Sequence, residues 1–186
     1  MPVGQELQPE MNDMASMRRG FLKQLAVLAA AGVGPAWANF EVSRWPARQP
    51  VPSLEAVDLE GKTWRLADLR GRAVLLNFWA SWCPPCRAEM PSLQDMAAIY
   101  GPEKIVVLAI NFKESAAQAA QFVKASGLNL SVLLDPAGDM ARQWGARLFP
   151  TTVLIDADGK PRQRIRGEVD WTSQAAEQLI QPLFKR

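Results

Sequence analysis

Histidine is absent from the 186-residue sequence, and cysteine occurs only twice. Without histidine, the commonest metal ligand and the usual general base near neutral pH are missing, which excludes most hydrolase and zinc-enzyme chemistries. Two cysteines three positions apart are too few and too close for a structural disulfide framework, which uses more pairs at wider spacing. Charge of neither sign dominates: 21 basic against 19 acidic residues leave a net +2. No electrostatic footprint therefore points to nucleic acid or an anionic membrane surface. No apolar run reaches the ~20 residues that span a bilayer. What is present is a hydrophobic content of 48%, enough for the core of one domain.

The first segment reads as an address. Arg18-Arg19-Gly20-Phe21-Leu22-Lys23 opens a short apolar run, Leu25 to Val33, that ends at Ala36-Trp37-Ala38. A charged region, an apolar region and an A-x-A site make a secretory signal, with cleavage expected between Ala38 and Asn39. The paired arginines followed by Phe-Leu-Lys fit a twin-arginine export signal, although Met17 stands where that pattern has Ser or Thr. Translation starting at Met14 or Met17 would give a better charged region than residues 1–16. The expected organisation is an export signal over 1–38, a Pro- and Arg-rich linker or arm over 39–52, and one folded domain over 53–186. The expected location is the periplasm, with membrane anchoring if the signal stays uncleaved.

Within the domain, Leu54 to Leu59 alternates at period two, and Gly61 marks a turn into Thr63–Leu66, the second arm of a hairpin. Ala73 to Ala80 is a nearly continuous apolar run, as in a central strand buried on both faces. Arg87 to Tyr100 reads as a helix with Pro91 near its middle, where a kink is expected. Ile105 to Ile110 is a second buried strand. Ser115 to Ser126 is a helix with a Ser115/Gln118 capping box and Gly127 as its stop. Val132–Leu134 is a short strand and Asp139–Trp144 a short helix. Thr151–Ile155 and Gln163–Arg166 flank an Asp158-Gly159 turn, and a last helix runs from about Thr172 to Phe184. Such alternation predicts an α/β sandwich around one mixed sheet.

Trp82-Cys83-Pro84-Pro85-Cys86 lies just past the central strand and opens a helix, where open α/β sheets place their sites. A thiolate there meets unsatisfied backbone N–H groups and the positive end of the helix dipole, so its pKa falls. The i, i+3 spacing puts both sulfurs on one face, close enough for a bond to form and break. Pro84 restricts Cys83 to the extended backbone an N-cap needs, and neither proline leaves an orphaned N–H. The expectation is an exposed attacking thiolate at Cys83 and a buried resolving thiol at Cys86, working by mixed disulfide. No metal is expected, since a zinc site would need two further ligands. No cofactor is expected beyond the redox-active disulfide itself. Two alternatives remain open: an oxidase that donates its disulfide, and a Cu(I)-binding or delivery protein using both thiolates.

The segment Phe78 to Pro91, with Phe149-Pro150-Thr151-Thr152 and Leu154 to Lys160, resembles the TlpA/ResA-like branch of the thioredoxin superfamily over roughly Val51 to Lys185. The resemblance implies a thioredoxin fold: a three-layer α/β/α sandwich with an N-terminal β-hairpin and a central helix–strand insert, here Lys113 to Asp135. It implies an exported thiol–disulfide oxidoreductase, most often a reductant in cytochrome c maturation or copper-site assembly. Its partners would be client protein disulfides and a membrane thiol electron donor, and the protein itself would be a monomer. Pro150 matches the family's cis-proline, so that Phe149 would pair with an extended client segment. Trp82 and Pro84 join that client-facing surface, while Trp79 belongs to the core. Glu89 matches an acidic residue one helical turn beyond the second cysteine, placed to modulate a thiol's pKa or relay a proton. The alternative for Glu89 is a solvated surface position. Asn77 stands where thioredoxin itself has an aspartate, which moves the proton-transfer question to Glu89 or water.

Overall fold

The computed structural model describes residues 40–184 and Met1. Residues 40–184 fall within the second of the two units into which the chain divides, Ala38–Arg186. The expected export signal, its paired arginines and its cleavage site lie outside the described residues. Among the described residues, no helix is long and apolar enough to cross a membrane.

The second unit is built on a six-stranded mixed sheet: β1 (Phe40–Arg44), β4 (Ala73–Trp79), β5 (Ile105–Phe112), β6 (Ser131–Asp135), β7 (Thr151–Ile155) and β8 (Pro161–Gly167). Their spatial order is β1-β8-β7-β4-β5-β6. β4 runs parallel to β5 and antiparallel to β7, so it sits at the centre. All seven of its residues are buried, as the continuous apolar run requires. β2 (Glu55–Val57) and β3 (Thr63–Arg65) form the expected N-terminal hairpin.

Alternation along β4 assigns its two faces. Ala73, Leu75 and Trp79 point toward helix α1 (Pro84–Tyr100) and the C-terminal helix α4 (Gln174–Ile180), where Met90, Leu93, Met96 and Ile180 complete one core. Val74, Leu76 and Phe78 point the other way, into a second core with Trp64 of the hairpin and Trp144 of α3 (Asp139–Trp144). Phe122 of the insert helix α2 (Ala116–Ser126) packs on the first core. The result is the three-layer sandwich of the thioredoxin fold.

One sequence expectation needs correction. Residues 39–52 are not simply a linker, because Phe40–Arg44 pairs antiparallel with β8 over five residues. Nothing local specifies that strand; it forms because the edge of β8 offers unpaired backbone groups. The helix that Cys83 caps starts at Pro84, as the N-cap reading expects, and continues as one α-helix through Pro91. Pro91 forfeits only the N–H that would have met the Arg87 carbonyl.

The Ser115 cap is formed in full: its hydroxyl accepts from the Gln118 N–H while the Gln118 side chain accepts from the Ser115 N–H. Gly127 ends α2 in the left-handed region at φ 64°, which glycine enters without penalty. Ser115→Ala is expected to cost about 1 kcal/mol, read as a lower urea midpoint with an unchanged m-value.

Candidate active site

Cys83 and Cys86 are joined as a disulfide, with Cα atoms 5.3 Å apart. Cys83 is the N-cap of α1, in extended backbone at φ −92° and ψ 107°. Its sulfur accepts from the Cys86 N–H at 3.3 Å. Pro84 and Pro85 have no N–H to offer, so Cys86 carries the first donor of the helix turned toward that sulfur. The sequence reading pictured Cys83 as exposed, yet it is only 4% accessible, against 0% for Cys86. The reason is tertiary: both sulfurs sit in the first core, with Phe149 packed alongside.

The Phe149–Pro150 bond is cis. Phe149 meets the Trp82 ring edge-on, centroids 6.2 Å apart, and stacks on Phe112 at 4.5 Å. Trp82 itself is 61% exposed, and Leu148, next to Phe149 in the chain, is 65% exposed, so exposed apolar side chains flank the Trp82–Phe149 contact. Pro84 is exposed beside it. Trp79 is fully buried.

Glu89 is not on the surface. It lies beneath the pair, buried on the inner face of α1. The Asn77 amide donates to one carboxyl oxygen at 2.6 Å, and the Val169 N–H donates to the other at 3.1 Å. Asn77 also donates to the Thr152 hydroxyl at 2.9 Å, while its own carbonyl oxygen is buried with no hydrogen-bond partner. Burial pushes the Glu89 carboxyl up to about 7, against the opposing pull of the bonds from Asn77, Val169 and Trp171. A carboxyl so placed can hold or release a proton at neutral pH. The packing of α1 over β4 brings Glu89 onto Asn77, and the sheet register sets Asn77 against Thr152.

Sequence reasoning passed over Glu114. This buried side chain accepts from the Ser81 N–H at 2.7 Å, the Ser81 hydroxyl, and the Asn111 amide at 2.6 Å. It thereby ties the segment entering Cys83 to the end of β5. The only hint in the sequence is a Glu just after a buried strand, which has no specificity.

A cavity of about 780 Å³ lies at the opposite end of β4, bordered by Leu54, Arg65, Arg70 and Asp158. No group positioned for redox chemistry borders it.

The fold and the paired sulfurs define a thioredoxin-fold protein with a redox-active CxxC disulfide at a helix N-terminus. The AhpC/TSA family model matches residues 47–164. The thiol-disulfide oxidoreductase ResA of Bacillus thuringiensis subsp. konkukian is 37% identical over 134 residues, 72% of this chain and 75% of that protein. A DsbF homologue from Corynebacterium diphtheriae superposes with a TM-score of 0.66 at 31% identity, covering 81% of this chain and 96% of that structure. The pneumococcal exposed lipoprotein thioredoxin of Streptococcus pneumoniae gives 0.61 at 33% identity, covering 71% of this chain and all of that structure. The chain belongs to the AhpC/TSA family and is a ResA-like thiol–disulfide oxidoreductase.

Proposed function

We propose that the chain is an exported disulfide reductase whose Cys83 attacks client disulfides and whose Cys86 resolves the mixed disulfide. One observation carries the direction of electron flow. The Cys83 sulfur receives one backbone N–H, from Cys86, and the two intervening prolines add neither N–H nor charge. Strong oxidants stabilise their reduced thiolate heavily; a dipeptide without donors limits that stabilisation and favours the reducing end. In each cycle the Cys83 thiolate attacks one client sulfur and the other leaves as a thiolate. Cys86 then attacks the Cys83 sulfur, the second client thiol departs, and the Cys86 proton passes to Glu89 or water. The pair works without a further cofactor. Two electrons per cycle must be returned to the pair, and a membrane thiol donor is the expected source.

The paired arginines, the apolar run and the A-x-A site support export to the periplasm. The ResA and exposed-lipoprotein relatives support a place outside the cytoplasm. Apocytochromes awaiting haem attachment and copper-site proteins are the proposed clients, and the monomer is the proposed working form. The test is the reduction potential of the pair, equilibrated against dithiothreitol or glutathione buffers. A value near or below about −270 mV supports the reductase. A value near about −120 mV would instead identify a disulfide donor.

A further inference from the structure

A cluster of arginines beside the cis-proline loop lacks a matching set of carboxylates. Arg164 is 8% exposed, and burying a guanidinium is costly unless it is paired. Among the described residues, Arg164 has no ion-pair partner. Its Nε donates to the Trp144 carbonyl at 3.1 Å, and its guanidinium lies 4.9 Å from the centroid of the Trp45 ring. Gly145 supplies the remaining wall: a Cβ there would sit 2.6 Å from one terminal nitrogen of Arg164. These contacts hold the stem and one edge of the fork. The two terminal nitrogens form no hydrogen bond within the described residues and are not sealed from solvent.

Arg166 and Arg147 add to the field. Arg166 projects from the same face of β8 two residues on, and with Arg147 it lowers the proton affinity of Arg164, although burial contributes more. Among the described residues, the one acidic neighbour joined to this cluster is Glu41, paired with Arg166 at 3.4 Å and itself 67% exposed. A surface pair of that kind contributes little.

The position of the cluster gives it meaning. Arg166 lies opposite Thr151, the residue after Pro150, and the Gly167 N–H donates to the Pro150 carbonyl at 3.0 Å. Arg147 stands three residues before Pro150, on the loop that carries Phe149. A client segment laid against Phe149 would therefore run past the arginines.

We infer that Arg164, Arg147 and Arg166 form an anion-recognition site for a client carboxylate, an Asp or Glu side chain near the cysteine under attack. Arg164 is the clamped fork that receives the carboxylate, and the other two steer it in. This rests on the reading that Phe149 and Pro150 bind client backbone.

The test uses full-length protein and cystine peptides carrying one Glu in turn at each of four positions on either side of the attacked cysteine, each with its Gln counterpart. At low salt, Glu at one or more positions is expected to raise the exchange rate about tenfold over Gln, with the ratio shrinking as salt rises. Arg164→Lys, which keeps the charge and loses the fork, should bring the ratio to about twofold. Arg147→Ala, on the exposed loop, should lower it as well and carries the test if the buried variant misfolds. A ratio near one at every position, or a ratio untouched in both variants, overturns the site. Peptides with serine in place of cysteine separate the two readings by NMR of the arginine Nε–H groups. If no peptide exchanges but the Glu form still moves the Arg164 resonance, the client reading fails and the anion site stands. Normal exchange without Glu preference or resonance shift removes the anion site alone.

Discussion

Cys83→Ser is expected to reduce disulfide exchange to the uncatalysed background, whereas Cys86→Ser should accumulate mixed disulfides with clients. The asymmetry follows from position. Cys83 is the N-cap, receives the Cys86 N–H at 3.3 Å, and is the more accessible of two nearly covered sulfurs, 4% against 0%. A thiolate at the helix N-terminus is stabilised by the unsatisfied N–H end of the helix, so it is the one present to attack. Cys86 faces the core and can reach only the sulfur beside it. Removing it blocks release without blocking attack. Non-reducing gels and mass spectrometry of each variant with a cystine client read this directly. If Cys83→Ser were the variant that trapped the adduct, the two roles would be reversed.

Glu89→Gln is expected to remove a pH dependence near neutrality from both reactivity and stability. In the native protein the carboxyl ionises at about 7 instead of 4.5, chiefly because it is buried. Resolution by Cys86 should quicken as Glu89 ionises and becomes able to accept the thiol proton. The glutamine variant should lack that inflection and resolve on the order of a hundredfold more slowly above it. For stability the sign is opposite to that of a salt-bridged carboxylate. Below about 4.5 the group is protonated in both folded and unfolded chains. Between about 4.5 and about 7 the folded protein keeps a proton the unfolded chain has released, so stability falls as pH rises. Above about 7 the loss is complete, on the order of 3 kcal/mol. The acceptor missing from glutamine is a pH-independent offset, so the diagnostic is the change in urea midpoint between pH 5 and pH 8. A decline equal in both proteins would mean that Glu89 is not the titrating group.

Much of this protein is determined within short stretches of its chain. A seven-residue run ending at Trp79 that is apolar except for Asn77, two cysteines three apart, and prolines that suit an N-cap together specify a buried strand followed by a helix with sulfur at its tip. Ser115 with Gln118, and Gly127 after them, specify α2 by the same local logic. These features rest on backbone sterics and on spacings of three or four residues, which act before distant parts of the chain meet. Tertiary structure decided the rest. Phe40–Arg44 became a strand only because β8 presents an open edge. Glu89 became a buried, proton-holding carboxyl only because α1 packs over Asn77, itself set against Thr152 by the register of β4 and β7. Cys83 is nearly covered because it joins a core drawn from the whole chain, against which Phe149 packs from 66 positions away. Arg164, three of whose neighbours in space are Trp45, Trp144 and Gly145, would pass in the sequence for an ordinary surface charge. In each case the deciding energy is desolvation or a hydrogen bond between residues far apart in the chain. No local pattern records those partners, and only the packed sheet brings them together.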